Sequence, residues 1–252
     1  MEHVRVAAIQ MDSPAGQKEN NLVAVARLAN QAAALGAGIA LFHEGLLVDY
    51  TTEPALVAEP VPGGPSTAAL ADIARVSRLY LGVGMAEQEA GRLYITHVFC
   101  GPQGFVAKYR KTWLWHAQKG SVDADIRDEH KWYNPGDGPA PFFLGDVRAT
   151  CLICADGDSE RAWHQVREAR PQIIFWPNNR HHFRPAWLEV LDRAREVGVP
   201  VVATNRIGVS GTGTCDGGAV IVSGEGAILA HSRLPGREEV VVADVPLPAA
   251  NG

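Results

Sequence analysis

The chain has 252 residues, 46% of them apolar, with a formal net charge of -5 and charges of both signs mixed along its length. That length suits one large domain or two small ones, and the apolar fraction can supply a substantial core. There is no basic block of the kind that binds nucleic acid, no lipid-binding helix and no apolar run of membrane-spanning length, so the expectation is no nucleic-acid partner and no membrane.

The opening MEHVRVAAIQMDS has no basic start followed by a long apolar stretch, so it is not read as an export signal, and its apolar part reads as a strand. The expectation is therefore a cytoplasmic protein whose four cysteines stay reduced. Strand-like and helix-like segments then alternate. Val4 to Gln10 is a short β-rich run, and the Ala-rich stretch from Asn20 to Leu35 predicts a helix that stops at Gly36. Gly38 to Phe42 reads as a buried strand running into His43 and Glu44. A helix over Ser66 to Arg75 precedes the strands LYLGVGM and RLYITHVFC, and Phe105 to Arg110 is a further strand. Arg148 to Cys154 reads as a strand feeding the helix start DGDSERAW. IIFWP, a helix from Pro185 to Val197 and VPVVATN follow. The last third (GGAVIVS, GAILAHS, EVVVADV) is mostly strand, and the glycines of GVSGTGTCDGG read as a loop with no phosphate-cradling motif. Alternation predicts an α/β fold, and the strand-rich end favours two sheets packed face to face with helices outside over a simple doubly wound sheet. No repeat or linker divides residues 1–252, which are read as a single domain.

Three chemically capable residues lie just after predicted strands, where α/β folds build their sites: Glu44, Lys111 and Cys154. Cys154, between a strand and a helix opened by Asp158 or Ser159, would meet turn N–H groups and a helix N-terminus, which favour the thiolate. Taken singly, each residue has a blander reading: a buried structural thiol, an exposed loop carboxylate and a solvated strand end. Cys151 and Cys154 also form a C-x-x-C, but on a strand they face opposite ways, and no further ligands stand at metal spacing.

Taken together, the segments resemble the nitrilase superfamily of carbon–nitrogen hydrolases across nearly the whole chain. VRVAAIQMDS resembles that family's opening strand, GIALFHEGLLVDY its catalytic-glutamate segment, GFVAKYRKTWL its catalytic-lysine segment and ATCLICADGDSER its nucleophile elbow. EHKWYNPGD resembles the segment with a second active-site glutamate, and RAREVGVPVVATNRIG a late helix–strand segment ending at Asn205. The resemblance implies a four-layer α-β-β-α sandwich, usually assembled as homodimers or larger. It also implies catalytic Glu44, Lys111, Cys154 and Glu129, a small-molecule amide or ureido substrate, and neither a cofactor nor a metal. It further implies substrate contacts from the Ala155 N–H, from Tyr50 at the end of the first glutamate segment, and from Trp176 and Asn178 after the IIFWP strand. The chain departs from the family's pattern at four positions: His43 stands for a proline, Ala155 for an aromatic or polar residue, Ser159 for a proline and Ile95 for an asparagine. Asp156, Glu160 and Arg161 are expected to cap and pair beneath the elbow, Trp113, Trp115, Trp132 and Tyr133 to pack, and residues 117–127 to form a flap. Three activities are weighed: an amidase or N-carbamoyl-amine hydrolase, a nitrilase, and a non-catalytic binding protein. All catalytic groups are present, and Ala155 favours amides over nitriles. Asp158 stands where an arginine would hold an amino-acid carboxylate, although Arg180 could substitute from another loop.

Overall fold

A computed structural model describes residues 2–51, 53–117, 127–181, 183 and 187–249. The first sheet is built from β1 (Glu2–Gln10), β2 (Ile39–Leu41), β3 (Tyr80–Glu89), β4 (Arg92–Gly101), β5 (Gly104–Arg110) and β14 (Glu239–Leu247), in the order β14-β1-β2-β3-β4-β5. The second comprises β6 (Phe142–Leu144), β7 (Val147–Cys151), β8 (Ile173–Asn178), β9 (Val201–Asn205), β12 (Val220–Val222) and β13 (Ile228–His231), in the order β13-β12-β9-β8-β7-β6. Each sheet is parallel at its centre, through β1-β2-β3 and β7-β8-β9, and antiparallel towards its edges. Helices α1 (Lys18–Ala34) and α3 (Pro65–Ser77) cover the first sheet, and α4 (Glu160–Ala169) and α5 (Trp187–Val197) cover the second; α2 (Pro54–Val57) is a single turn beside β3. The result is the four-layer α-β-β-α sandwich.

The layering follows from residue periodicity. Along β8, Ile173 and Phe175 face the space between the sheets, whereas Ile174 and Trp176 face α4 and α5. β9 repeats the pattern, with Val202 inward and Val201 and Ala203 outward. Both faces are apolar because both are covered, which is why these strands read as continuous hydrophobic runs. On α1 the buried residues Val25, Leu28, Ala29 and Ala32 recur at helical spacing, as do Ala162, Trp163, Val166 and Ala169 on α4. Phe99 of β4 closes the space between the sheets, with its ring 4.5 Å from that of Phe142 and 5.7 Å from that of Phe175. One polar bond also crosses between the sheets, from the Thr204 hydroxyl to the Phe42 carbonyl (3.0 Å), just before Glu44.

Two local expectations are corrected, and one strand is added. The strand expected to reach Cys154 ends at Cys151, because Ile153 leaves the ladder and Cys154 takes a left-handed φ of 47°. The glycine-rich stretch is a hairpin rather than a loop: β10 (Ile207–Ser210) pairs with β11 (Gly213–Asp216) around Gly211-Thr212, glycine at φ 59° supplying the turn. Short β6 went unread, since three residues carry no usable period. Residues 118–126 of the expected flap and the start of the helix expected from Pro185 lie outside the described residues. No helix among the described residues is long and apolar enough to cross a membrane.

Phe99→Ala should cost about 3–5 kcal/mol, the usual range for emptying a buried phenylalanine site. The measurement is a urea midpoint shift at unchanged slope.

Candidate active site

Glu44, Lys111 and Cys154 each lie within three residues of the carboxyl end of a strand (β2, β5 and β7), and the sandwich brings those ends together. Glu44 opens a tight turn continued by Gly45 at φ 64°. That turn lies so close to β3 that any Cβ at position 84 would collide with the backbone of His43, Glu44 and Gly45, so Gly84 is what admits it. The turn is tied on its other side by Asn21, whose amide donates to the Leu46 carbonyl (3.1 Å). His43, where the family pattern has proline, is fully buried, its Nδ1 bonding the Glu44 carbonyl (2.8 Å). Burial and the nearby Arg206 charge push it down to about 3, so it is a neutral fixture of the turn.

Lys111 is completely buried between two carboxylates, with Nζ donating to Glu44 Oε1 (2.8 Å) and to Glu129 Oε1 (2.7 Å). Glu129 sits in a 3₁₀ turn, Glu129–Lys131, and also accepts from the Tyr50 hydroxyl (2.9 Å) and the Trp115 N–H (2.7 Å). Burial would push the Lys111 ammonium down, but the charges of Glu129 and Glu44 outweigh it and hold its pKa above the ordinary value. Glu44 moves up, first from burial and then from Glu129, against the opposing pull of Lys111. Its second oxygen, Oε2, is buried with no hydrogen-bond partner among the described residues, and the Cys154 thiol is among the groups acting on it. The Cys154 thiol and the chamber beside Glu44 are the places from which a proton donor can reach this carboxylate.

Cys154 opens a 3₁₀ turn, Cys154–Asp158, in its left-handed conformation. Asp156 anchors this elbow: it accepts from the N–H groups of Ile153 (2.8 Å), Thr112 (3.0 Å) and Trp113 (2.7 Å) and from the Tyr109 hydroxyl (2.8 Å). One side chain therefore locks the lysine segment to the cysteine segment. Beneath the elbow, Gly157 lies against the Trp176 ring with no room for a Cβ, Trp163 Nε1 donates to the Gly157 carbonyl (2.7 Å), and the two indoles meet edge to face. Glu160 pairs with Arg193 of α5, while Arg161 is exposed.

The thiol departs from expectation. Burial and then the Glu44 charge push it up to about 11, against Lys111 and Arg180. Burial and the Glu44 carboxylate thus favour the thiol over the thiolate at neutral pH. Proton removal must then accompany attack. Cys100, Cys151 and Cys215 are also free and buried. Cys151 lies in the inter-sheet core and is raised further by burial.

Cys154 opens onto a cavity of about 350 Å³, bordered by Tyr50, Trp115, Ala155, Asn179, Arg180 and His181 among others. A second chamber of about 20 Å³, room for one water, adjoins Glu44, Met85, Ile95 and Tyr133. No group of three or more His, Cys, Asp or Glu side chains among the described residues is arranged to hold a metal.

The carbon–nitrogen hydrolase family profile matches residues 5–251. The chain belongs to the carbon–nitrogen hydrolase family. It is 28% identical over 250 residues to a nitrilase of Pyrococcus abyssi, covering 97% of this chain and 90% of that one. It is 32% identical over 202 residues to the omega-amidase of Mus musculus, covering 78% and 71%. An amidase of the nitrilase superfamily from Nesterenkonia shares its fold, with a TM-score of 0.84 at 21% identity over 97% of this chain and 91% of that one. Membership of this family makes the chain an enzyme of carbon–nitrogen bond hydrolysis.

Of the expected substrate contacts, Ala155 and Tyr50 border the hydrolase's cavity, but Trp176 and Asn178 do not. Trp176 is wholly buried and its Nε1 donates to the Cys154 carbonyl (2.9 Å). Asn178 is equally buried, its amide donating to the Trp176 (2.7 Å) and Thr204 (3.3 Å) carbonyls. Both lie within β8, and the cavity wall begins only after the strand ends, at Asn179 and Arg180. Asp158 and Arg180 both border the cavity as a pair, with Arg180 Nη2 3.0 Å from Asp158 Oδ1. Sequence reasoning also missed the buried pair Asp49–Arg206 (2.6 Å), although an arginine following an apolar strand was its visible signal. Asp49 Oδ1 additionally accepts from Asn179 (3.0 Å) and Ser210 (2.8 Å), so this network braces the cavity wall beside Tyr50.

The raised thiol gives a signed pH prediction. Alkylation of Cys154 by iodoacetamide should climb about tenfold per pH unit from neutral towards about 11 rather than level off below pH 7. Glu44→Gln removes the charge that helps raise the thiol, so its profile should move to lower pH. A wild-type plateau near neutrality would contradict the assignment.

Proposed function

We propose that the hydrolase cleaves the carbon–nitrogen bond of a small linear carboxamide or N-carbamoyl amine through a thioester on Cys154, with Glu44, Lys111 and Glu129 as the other catalytic groups. The observation that carries this reading is the buried chain Glu44–Lys111–Glu129, with Glu44 within hydrogen-bonding reach of the Cys154 thiol, which borders the cavity.

In the acylation step, Glu44 Oε2 takes the thiol proton as sulfur bonds to the amide carbon. The carbonyl π electrons move to oxygen, and the Lys111 ammonium and the Ala155 N–H hold the resulting oxyanion. As the carbonyl re-forms, the C–N bond breaks and Glu44 gives its proton to the leaving nitrogen. A water, for which the small chamber beside Glu44 has room, then loses a proton to Glu44 and attacks the thioester. The C–S bond breaks, Glu44 reprotonates the sulfur, and acid is released. Glu129, fixed by Tyr50 and the Trp115 N–H, orients Lys111 and accepts from the substrate amine.

We also propose a cytoplasmic location and a homodimeric or larger assembly. The four free cysteines support the first, and membership of a family whose members usually assemble this way supports the second.

Cys154→Ala should abolish turnover while Cys151→Ala keeps most of it. Glu44→Gln should lose at least roughly 10²–10⁴-fold, typical of general acid–base catalysis, and Lys111→Ala a comparable amount, with Glu129→Gln milder. Mass spectrometry after mixing with substrate should find the acyl group on Cys154, and near-normal rates in the Cys154 variant would end the reading.

Substrate class is settled by a product screen. Ammonia without carbon dioxide identifies a carboxamide, and both together identify a ureido compound. Efficient nitrile hydrolysis with poor amide turnover would instead favour the activity for which the Pyrococcus abyssi relative is named.

A further inference from the structure

The peptide bond between Cys154 and Ala155 is held from behind. Its carbonyl oxygen accepts two side-chain hydrogen bonds, from Trp176 Nε1 (2.9 Å) and from Arg180 Nη2 (2.8 Å). Neither donor drifts easily. Trp176 is fully buried with its ring against Gly157 and Trp163. Arg180 is fixed at its backbone by the Asn205 amide, which accepts from the Arg180 N–H (2.9 Å) and donates to the Arg180 carbonyl (2.9 Å). Its guanidinium is held by Asp158 (3.0 Å) and lies 5.7 Å from the centre of the Trp176 ring.

A trans peptide is planar, with its C=O and N–H pointing in opposite directions. Two rigid donors on the Cys154 oxygen therefore aim the Ala155 N–H the opposite way. Ala155 borders the cavity, and no hydrogen bond from its N–H to another group is found among the described residues. The carbonyl also accepts from a permanent cation. Drawing electron density towards that oxygen makes the N–H of the same amide a stronger donor, since hydrogen bonds in a chain polarise one another. The left-handed Cys154 needs such a restraint, because that conformation is sparsely populated for a residue other than glycine and persists only where its surroundings enforce it.

We infer that Arg180 is a positioning residue for the oxyanion: by clamping the Cys154 carbonyl together with Trp176, it fixes and strengthens the Ala155 N–H as a donor to the tetrahedral intermediate. The inference rests on the proposed reaction at Cys154 and adds a residue from a loop beyond the elbow. It acts in the transition state, so its loss should appear in kcat rather than KM.

The test compares two reactions of the same sulfur. Amide hydrolysis passes through an oxyanion. Alkylation by iodoacetamide does not, and is read on its alkaline plateau, where the thiol charge state no longer matters. Arg180→Ala should lower kcat for the best amide at least about tenfold, short of the roughly 10²–10³-fold for losing an oxyanion donor outright, with KM changed less than about threefold. Plateau alkylation should stay within about threefold of wild type. Arg180→Lys, which keeps a cation but loses the planar fork, should recover part of kcat. Parallel collapse of both reactions in Arg180→Ala would mean that Arg180 only holds the fold of the elbow, and an unchanged kcat would mean that Trp176 suffices; either overturns the inference. Turnover surviving Cys154→Ala would overturn the underlying reaction and this inference with it. An inactive Cys154→Ala beside a fully active Arg180→Ala would overturn this inference alone.

Discussion

Everything at the candidate site depends on placing one ammonium group, Lys111, where no water reaches it. An unpaired buried cation would lose its proton or unfold its surroundings, because desolvation costs several kcal/mol per ion. Two carboxylates at 2.7 and 2.8 Å reverse that balance. The same pairing dictates the folding problem, since Glu44, Lys111 and Glu129 come from segments 67 and 18 residues apart. The sandwich solves it by bringing the ends of β2 and β5 together and setting the 3₁₀ turn that carries Glu129 against them. Gly84 lets the Glu44 turn sink against β3, and Asp156 binds the segments after β5 and β7 into one unit.

Much of this was legible beforehand, for a physical reason. Strands covered on both faces leave apolar runs, so most strands of both sheets could be read from the sequence, and Glu44, Lys111 and Cys154 could be placed just beyond β2, β5 and β7, while only the family resemblance gave them catalytic roles. What stayed hidden was set by three-dimensional approach. Trp176 and Asn178 look like site residues because they lie near the end of a strand, but their side chains turn back to satisfy buried carbonyls. Nothing in ICADGD reveals that Asp156 accepts four hydrogen bonds, three of them from residues more than forty positions away. The state of the thiol was hidden for the same reason. A helix start is visible in sequence, whereas the burial that opposes ionisation, and the carboxylate arriving from beyond β2 that adds to it, are not.

The elbow itself combines strain and support. Cys154 occupies a conformation that costs of order 1–3 kcal/mol for a side chain of its kind. Around it, Asp156 holds the preceding N–H, Trp176 and Arg180 hold its carbonyl, and Trp163 holds Gly157 two residues on. These anchors come from four different segments, so the turn cannot relax without breaking bonds to the sheet and helix beneath it.

Burial also explains why a proton carrier is needed instead of a standing thiolate. Burial raises the thiol first, and the charge of Glu44 raises it further, since a thiolate there would put three negative charges around one lysine. In the proposed reaction, the charge Glu44 loses on taking the thiol proton reappears on the substrate oxygen, still beside Lys111. The number of charges within the buried site is then the same before and after attack, and only their position changes. A site arranged this way never has to desolvate a new charge during turnover, so the cost of burying Lys111 is met once, in folding.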